Sequence, residues 1–200
     1  RGEYGEADLS RLIAAERHLV ETWLDPGKAT LEAGTGGGRI LHALRERGFS
    51  RLSGFDFVPS QIEAAKRRDE GGTIDFRVQD ARSLDYADAA FGQVIYVQQV
   101  LSFIDAAGDR LASAREACRV REPGGTALFS FRSYEARRRS GVYRALMLYL
   151  RCLRAVTRSR RSPQSRPWFK LGGTFNASCL LDRGPHNYWF TLTEACCMAE

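Results

Sequence analysis

Apolar residues along the chain alternate between short continuous runs and longer stretches in which they recur every three or four positions. The longer spacing predicts helices, and the short continuous or alternating runs predict strands. Predicted helices cover residues 9–24, 40–48, a stretch that begins at Pro59, and 111–120. Predicted strands cover residues 29–33, 52–57, 74–78, 94–97 and 126–131.

Strand and helix therefore alternate five times with short connections. This order predicts an α/β fold, a doubly wound and mostly parallel sheet with helices on both faces. Right-handed crossovers place all strand-to-helix loops of such a sheet on one edge, where ligands bind.

A glycine-rich loop joins the first predicted strand to the next helix. Gly34, Gly36 and Gly38 allow left-handed backbone and close approach of a ligand to the main chain. Free amides at the following helix start favour a carboxylate or a phosphate.

Asp56 lies 22 residues after Gly34, at the end of the next predicted strand. A doubly wound sheet brings such a carboxylate beside the loop, where it can accept hydrogen bonds from both hydroxyls of a ribose. A nicotinamide-type glycine pattern counted from Gly34 would need glycine at position 39, which is Arg39. An NAD-dependent oxidoreductase is therefore the weaker alternative.

Five segments in order, residues 31–39, 54–61, 79–81, 91–101 and 119–125, resemble the motifs of class I S-adenosylmethionine-dependent methyltransferases of type 11/25. The resemblance covers about half of the chain, from residue 29 to 131. It implies a Rossmann-like methyltransferase fold and S-adenosylmethionine as cofactor, with S-adenosylhomocysteine as product. The last two strands of that fold are expected to be missing from this chain, which we interpret as a trimmed or partial one.

The resemblance also implies roles for the matching residues. Gly34, Gly36 and Gly38 would place backbone against the methionine part of the cofactor. Glu32 would lie near its ammonium group, directly or through water. Asp56 would bind the ribose hydroxyls.

Four further residues complete the candidate cofactor site. Asp80 would accept from the adenine amino group and the Ala81 amide would donate to the ring. Gln98 would line the floor below the methionine part. Phe57, which follows Asp56, is also expected to contact the cofactor. Glu32 and Gln98 could instead serve as local hydrogen-bonding groups.

No catalytic base is evident. Where many relatives carry His after the fourth strand, this chain has Gln99 and Ser102, so His186 is the weak candidate for a base. The sequence shows no His/Cys/Asp cluster with metal-ligand spacing, which predicts a metal-independent, direct in-line displacement.

Charge divides the chain unevenly. The net charge is +6, yet residues 132–183 hold 13 basic and 2 acidic side chains, a net of +11. This asymmetry predicts an anionic partner for one segment and not a nucleic-acid-binding protein. Arg151 and Arg154 are expected to attract an acceptor that bears a carboxylate or a phosphate.

The basic segment divides the predicted domains. Residues 1–132 would form the cofactor-binding core with its N-terminal helix, 133–187 a basic insertion that caps the cofactor edge, and 188–200 the start of a C-terminal core helix. The insertion contains a basic amphipathic helix that could be a lid, a membrane-surface contact, a dimer surface or an ordinary packed helix.

The remaining expectations are general. Five cysteines without a C-x-x-C pair indicate reduced thiols and a cytoplasmic location. The expected activity is methyl transfer to a small-molecule acceptor. A catalytically inactive S-adenosylmethionine-binding module is the second alternative.

Overall fold

The computed structural model describes residues 12–171 and 174–199. The chain forms two compact units, and each is a folded body with its own elements. The first, which we call the sheet unit, comprises residues 12–100 and 108–130. The second, the basic unit, comprises residues 101–107, 131–171 and 174–199.

The sheet unit contains five strands and four helices. The strands are β1 (Thr30–Ala33), β2 (Leu52–Asp56), β3 (Asp75–Val78), β4 (Phe91–Tyr96) and β5 (Arg121–Phe129). The helices are α1 (Ala14–Trp23), α2 (Arg39–Arg45), α3 (Pro59–Arg68) and α4 (Ala107–Val120), the last beginning in the neighbouring unit.

All five strands are parallel and pair in the order β3-β2-β1-β4-β5. The reversal of strand order at β1 is the doubly wound topology predicted from the sequence, and the fold class is confirmed. The prediction of strands at the fourth and fifth positions was short by a few residues. The Pro123-Gly124-Gly125 turn lies within β5, where the ladder to β4 shifts register between Phe91 and Gln93.

The core explains why these segments fold as they do. One apolar cluster joins α1, α2 and α3 to Phe76 of β3 and Ile95 of β4. On α4 the buried side chains recur at Ala114, Ala117 and Val120, which is the three-residue spacing of a helix face turned inward. Helices with inward apolar stripes and strands with near-continuous burial are typical of a covered parallel sheet.

The described residues of the basic unit form three α-helices and four short strands. They are α5 (Tyr134–Arg138), α6 (Gly141–Val156), β6 (Ser165–Pro167), β7 (Lys170–Leu171), β8 (Thr174–Phe175), β9 (His186–Tyr188) and α7 (Leu192–Ala199). Strands β6 and β9 pair antiparallel, as do β7 and β8.

The predicted domain limits differ from these units at residues 101–107 and 131–132, which were expected in the core but belong to the basic unit, and at the C-terminal end. Residues 188–200 were assigned to the core, but 188–199 belong to the basic unit. The reason is that Tyr188 pairs with Ser165 and Phe190 packs its ring on Phe131 at 4.7 Å. The N-terminal part of the helix predicted over 9–24 lies outside the described residues.

The five cysteines are free thiols. None of the helices within residues 12–171 and 174–199 is long and apolar enough to cross a bilayer.

Candidate functional site

The glycine loop between β1 and α2 has left-handed backbone at alternate positions. The φ angles are +63° at Gly34, +53° at Gly36 and +78° at Gly38. A Cβ at Gly34 would approach Val100 to 2.8 Å, and one at Gly38 would approach Phe76 to 2.9 Å. At Gly36 the nearest atom, Gln61 Oε1, lies at an ordinary contact distance of 3.8 Å, so of the three only this glycine has room for a Cβ. A left-handed glycine with such room is where a ligand can approach bare backbone.

Asp56 lies against this loop. Its Oδ2 accepts a hydrogen bond from the Gly36 amide at 2.9 Å, and its Oδ1 accepts one from the Val58 amide at 2.9 Å. The carboxylate is partly exposed. Because each carboxylate oxygen has further lone pairs, Asp56 can hold the loop and still accept two ligand hydroxyls.

Glu32 is the buried acid of the site. It lies in the buried strand β1 with only 2% of its surface exposed, and the Thr35 hydroxyl donates to its Oε2 at 2.7 Å. Burial raises the pKa of Glu32 to about 8. A cationic group beside this carboxylate would stabilise its charged form, so the residue fits the ammonium role that the resemblance implies.

The guanidinium nearest Glu32 is already engaged elsewhere. Arg39, the first residue of α2, binds Glu16 of α1 with both Nη atoms, at 2.8 and 2.6 Å. Glu16 also accepts from the Ile13 amide at 3.0 Å. Although burial by itself raises the pKa of Glu16, the hydrogen bonds from Arg39 and Ile13 hold it below its usual value.

Sequence reasoning missed Glu16. A signal existed, because Leu12, Glu16 and Val20 recur every four residues and all three are buried. A charged residue on the apolar stripe of a helix predicts a buried partner. The partner, Arg39, could not be identified from spacing because it lies 23 residues away.

Gln98 joins the same group of residues. It lies directly after β4, and its Nε2 donates to Glu16 Oε1 at 3.3 Å. Gln98 and Gln99 both have left-handed backbone, with φ of +59° and +66°, and the Gln99 amide donates to Ser130 Oγ at 2.9 Å. Left-handed backbone at two successive non-glycine residues is strained and is concentrated at functional sites.

Asp80 has a partner that the sequence did not suggest. Arg82 donates to Asp80 Oδ2 at 2.6 Å through Nη2 and to Oδ1 at 2.9 Å through its amide. These hydrogen bonds from Arg82 hold the pKa of Asp80 below its usual value. The segment nevertheless lies beside Asp56, because the Gln79 amide donates to the Asp56 carbonyl at 3.1 Å. An adenine amino group would have to share the carboxylate with Arg82.

An apolar surface surrounds these two acids. Phe57 is 73% exposed, and Val58 and Val78 are exposed as well. Ala81, between Asp80 and Arg82, is partly buried. Exposed apolar side chains beside hydrogen-bonding acids suit a flat aromatic ring.

His186 lies in the basic unit, and its surroundings do not favour a base. Its side chain is 2% exposed, Nδ1 lies 2.8 Å from the Gly184 carbonyl, and Nε2 lies 3.2 Å from Asp182 Oδ1. Both nitrogens are engaged by acceptors of the protein, so neither is open to take a proton from a substrate. The role that these contacts indicate for His186 is structural.

Arg154 is likewise structural. It donates to both oxygens of Asp182 at 2.7 Å and to the Ser162 and Ser165 carbonyls at 2.8 and 2.7 Å. The expectation that Arg154 attracts an acceptor is therefore wrong, because this guanidinium is buried and fully engaged. Arg151, in contrast, is exposed.

Among the described residues, no three His, Cys, Asp or Glu side chains are grouped so that they could hold a metal ion. The metal-independent reaction stays a prediction.

Comparison with known proteins agrees with the fold. A model of the family described as "Methyltransferase domain" matches residues 31–129. A ubiquinone/menaquinone biosynthesis C-methyltransferase from Desulfotalea psychrophila is 39% identical over 112 residues. That alignment covers 54% of this chain and 44% of the relative, so the chain spans less than half of the relative's length.

Two solved structures share the fold. A SAM-dependent methyltransferase from Methanosarcina mazei has a TM-score of 0.72 at 22% identity, over 90% of this chain and 81% of its own. The PH0226 protein from Pyrococcus horikoshii has a TM-score of 0.58 at 17% identity, over 96% and 82% of the two chains. Family model, relative and fold agree, and the chain belongs to the class I S-adenosylmethionine-dependent methyltransferases through its domain at residues 31–129.

Proposed function

We propose that this protein binds S-adenosylmethionine in the sheet unit and transfers a methyl group to a small-molecule acceptor. The observation that carries the proposal is the hydrogen bond between the glycine loop and Asp56. Asp56 holds the left-handed Gly36 by its amide, and that glycine has room for a Cβ. The loop is thereby fixed before a ligand arrives, which lowers the entropy cost of binding.

The described residues fit each part of the cofactor. The Gly34–Gly38 backbone would face the methionine part, and the buried carboxylate of Glu32 would hold the ammonium. Asp56 would bind the ribose hydroxyls, while Asp80 and the Ala81 amide would bind the adenine edge. Phe57 would lie against the ring.

The bound cofactor supplies an activated methyl group on a sulfonium, which an acceptor can displace directly and without a metal. The protein then has to orient the acceptor and exclude water. Neither task needs a strong base on the protein, and this agrees with the structural environment of His186.

The acceptor is a separate question. The name of the Desulfotalea relative specifies C-methylation in quinone biosynthesis, but its alignment covers about half of this chain. We therefore propose only a small molecule, which we expect to carry an anionic group because residues 132–183 have a net charge of +11.

The NAD-dependent alternative has a structural argument against it. The position where a nicotinamide pattern needs its last glycine holds Arg39, whose guanidinium is bound to Glu16. A catalytically inactive S-adenosylmethionine-binding module would have the same cofactor site. Only the detection of methyl transfer distinguishes it from an active methyltransferase.

Calorimetric titration with S-adenosylhomocysteine tests the proposal. Asp56→Ala is expected to weaken binding by about 1–3 kcal/mol, because two ribose hydroxyls lose a charged acceptor. Asp75→Ala is the matched control, since Asp75 is an exposed acid of the same sheet that pairs with Arg77 at 2.8 Å. Equal affinity in the Asp56 and Asp75 variants, or tight binding of NADH in place of S-adenosylhomocysteine, would overturn the assignment.

A further inference from the structure

The basic unit contains a cavity of about 690 Å³ between α5, α6 and residues 159–166. Six of its lining residues are arginines, and none of the lining residues is acidic. The six are Arg138, Arg144, Arg151, Arg154, Arg161 and Arg166. Six guanidinium groups converging on one cavity repel one another unless anions compensate them.

Two of the six have carboxylate partners. Arg154 binds Asp182, and Arg161 lies 3.5 Å from Asp105. Within the described part of the chain, the other four, Arg138, Arg144, Arg151 and Arg166, form no ion pair with an acidic side chain. The cavity therefore carries about four positive charges that the protein itself does not neutralise.

Arg166 makes this imbalance more severe, because it is buried. Its exposed fraction is 8%, and its guanidinium lies 5.7 Å from the ring of Tyr134. Burial and the nearby Arg154 lower the pKa of Arg166, while Tyr134 and Asp182 act in the opposite direction without restoring it to its usual value. A buried cation is costly unless it is paired, and an anion in the cavity would pair it.

An apolar pocket adjoins the arginine cavity. Leu146, Leu150, Phe169 and Trp189 lie on its walls. Tyr134, Met147 and Arg166 line both spaces, so the two are neighbours that share a wall. That apolar pocket has a volume of only about 20 Å³, too little for the apolar part of a ligand, but Met147, Leu148, Ala155 and Pro163 give the arginine cavity an apolar wall of its own. A ligand that fits the cavity needs an anionic end and an apolar body.

We propose that the basic unit binds an anionic amphiphile, a molecule with a phosphate-type or carboxylate group held by Arg144, Arg151 and Arg166 and an apolar part held against Met147 and Leu148. Guanidinium groups suit this task because their paired donors match the oxygens of phosphates and carboxylates. The ligand's anionic group could belong to a soluble metabolite or to the headgroup of a lipid. The binding site itself does not depend on the proposed function, whereas identifying its ligand as the methyl acceptor rests on that function.

The probe is decyl phosphate below its micelle-forming concentration, titrated calorimetrically into the full chain. Decanol and inorganic phosphate are the comparators, since each supplies one half of the amphiphile. Decyl phosphate is expected to bind more tightly than either, and its affinity should fall as salt is added. Replacing both exposed arginines, Arg144→Gln with Arg151→Gln, should weaken binding at least tenfold.

Arg160→Gln is the matched control, because Arg160 is exposed in the same segment but does not line the cavity. It should leave the affinity unchanged. Equal binding of decanol and decyl phosphate, or the same affinity in the double variant and in the Arg160 control, would overturn the proposal.

A second titration separates the two sources of the anion. The protein is mixed with phosphatidylcholine vesicles that contain or lack phosphatidic acid. If it binds only the vesicles with phosphatidic acid, and the double variant does not bind them, the anion is a lipid headgroup. Binding of soluble decyl phosphate without vesicle binding reports a metabolite. If the double variant still binds both decyl phosphate and the anionic vesicles, the proposed site is wrong. The affinity of the same preparations for S-adenosylhomocysteine tests the methyltransferase proposal independently.

Discussion

The sheet unit and the basic unit build their candidate sites from different parts of the chain. In the sheet unit, the site consists of backbone at Gly34–Gly38 and carboxylates that hold backbone amides, as Asp56 holds Gly36. In the basic unit, it consists of side chains from segments far apart, such as Arg144 and Arg166, which are 22 residues from each other and line the same cavity. A site made of backbone turns leaves a spacing pattern in the sequence, whereas a site made of side chains depends on the tertiary fold.

The two units also balance charge differently. Glu16 and Arg39 pair in the sheet unit, and Asp80 pairs with Arg82. In the basic unit, Arg154 is neutralised by Asp182 but the neighbouring Arg144 and Arg151 have no acidic partner among the described residues. This difference assigns stability to one set of arginines and ligand binding to the other, and the following variants test that division.

The largest effect is expected from Arg154→Met. Breaking a buried ion pair leaves Asp182 without its partner and should cost about 3–5 kcal/mol of unfolding free energy. Burial by itself raises the pKa of Asp182, but Arg154 and His186 hold it below its usual value, so the stabilisation should be lost as pH falls through that lowered pKa. Urea denaturation at several pH values measures both.

Arg151→Met is the control for this variant. It removes an exposed arginine of the same helix and should change stability by less than about 0.5 kcal/mol. Similar unfolding free energies for the two variants would show that the burial of Arg154 does not distinguish it, and the division between structural and binding arginines would fail.

The next effect separates two glycines of the sheet unit. Gly38→Ala places a Cβ against Phe76 and His42, at 2.9 and 3.1 Å, in a left-handed conformation. Strain and crowding together should cost about 2–4 kcal/mol of stability. Gly36→Ala has the strain without the crowding and should cost about 1–2 kcal/mol.

The same pair should reverse in cofactor binding. Because Gly36 has room beside its backbone for the cofactor, its new methyl group should weaken S-adenosylhomocysteine binding more than the Gly38 methyl does in molecules that remain folded. Thermal melts with and without ligand measure both quantities. A Gly36 variant that binds as the wild type does would remove Gly36 from the site.

A third effect concerns Glu32 and pH. Its folded pKa of about 8 lies above the unfolded value near 4.5, so the folded state holds an additional proton between these values. The contribution of Glu32 to the free energy of unfolding should therefore be complete below about pH 4.5. It should fall by up to about 1.4 kcal/mol per pH unit as the pH rises toward 8. Glu32→Gln should abolish this slope.

Proton release on binding gives a second measurement of Glu32. At pH 6.5 the ammonium of S-adenosylhomocysteine should displace a proton from Glu32, which titration in buffers of different ionisation enthalpy detects. Absence of release in the wild type would separate Glu32 from the ammonium and leave it with a structural hydrogen bond to Thr35.

The parts of the molecule that sequence could predict are those set by local pattern. The sheet order and the left-handed glycines follow from strand–glycine–helix spacing, and the position of Asp56 follows from the strand that it ends. Glu16 with Arg39, Asp80 with Arg82, and Asp182 with Arg154 and His186 could not be paired in advance. Each pair depends on how side chains of that length reach across the fold.

The start of α7 in the basic unit is also predicted by local pattern, and it gives the smallest expected effect. The spacing of Thr191 and Glu194 predicts a capping box, and α7 begins at Leu192, directly after Thr191. The Glu194 amide donates to Thr191 Oγ1 at 3.2 Å, and the Thr191 amide donates to Glu194 Oε2 at 2.8 Å. Tyr188 adds a hydrogen bond of 2.6 Å from its hydroxyl to Glu194.

Thr191→Ala should therefore cost about 1 kcal/mol, because the first turn of α7 loses the oxygen that accepts its amide. Thr191→Ser keeps that oxygen and should stay within about 0.5 kcal/mol of the wild type, as urea denaturation of both variants can establish. If serine destabilises as much as alanine, the methyl group of Thr191 and not its hydroxyl stabilises the helix start. The start of α7 would then lack the locally encoded hydrogen-bonding stabilisation that makes the sheet unit predictable from its sequence.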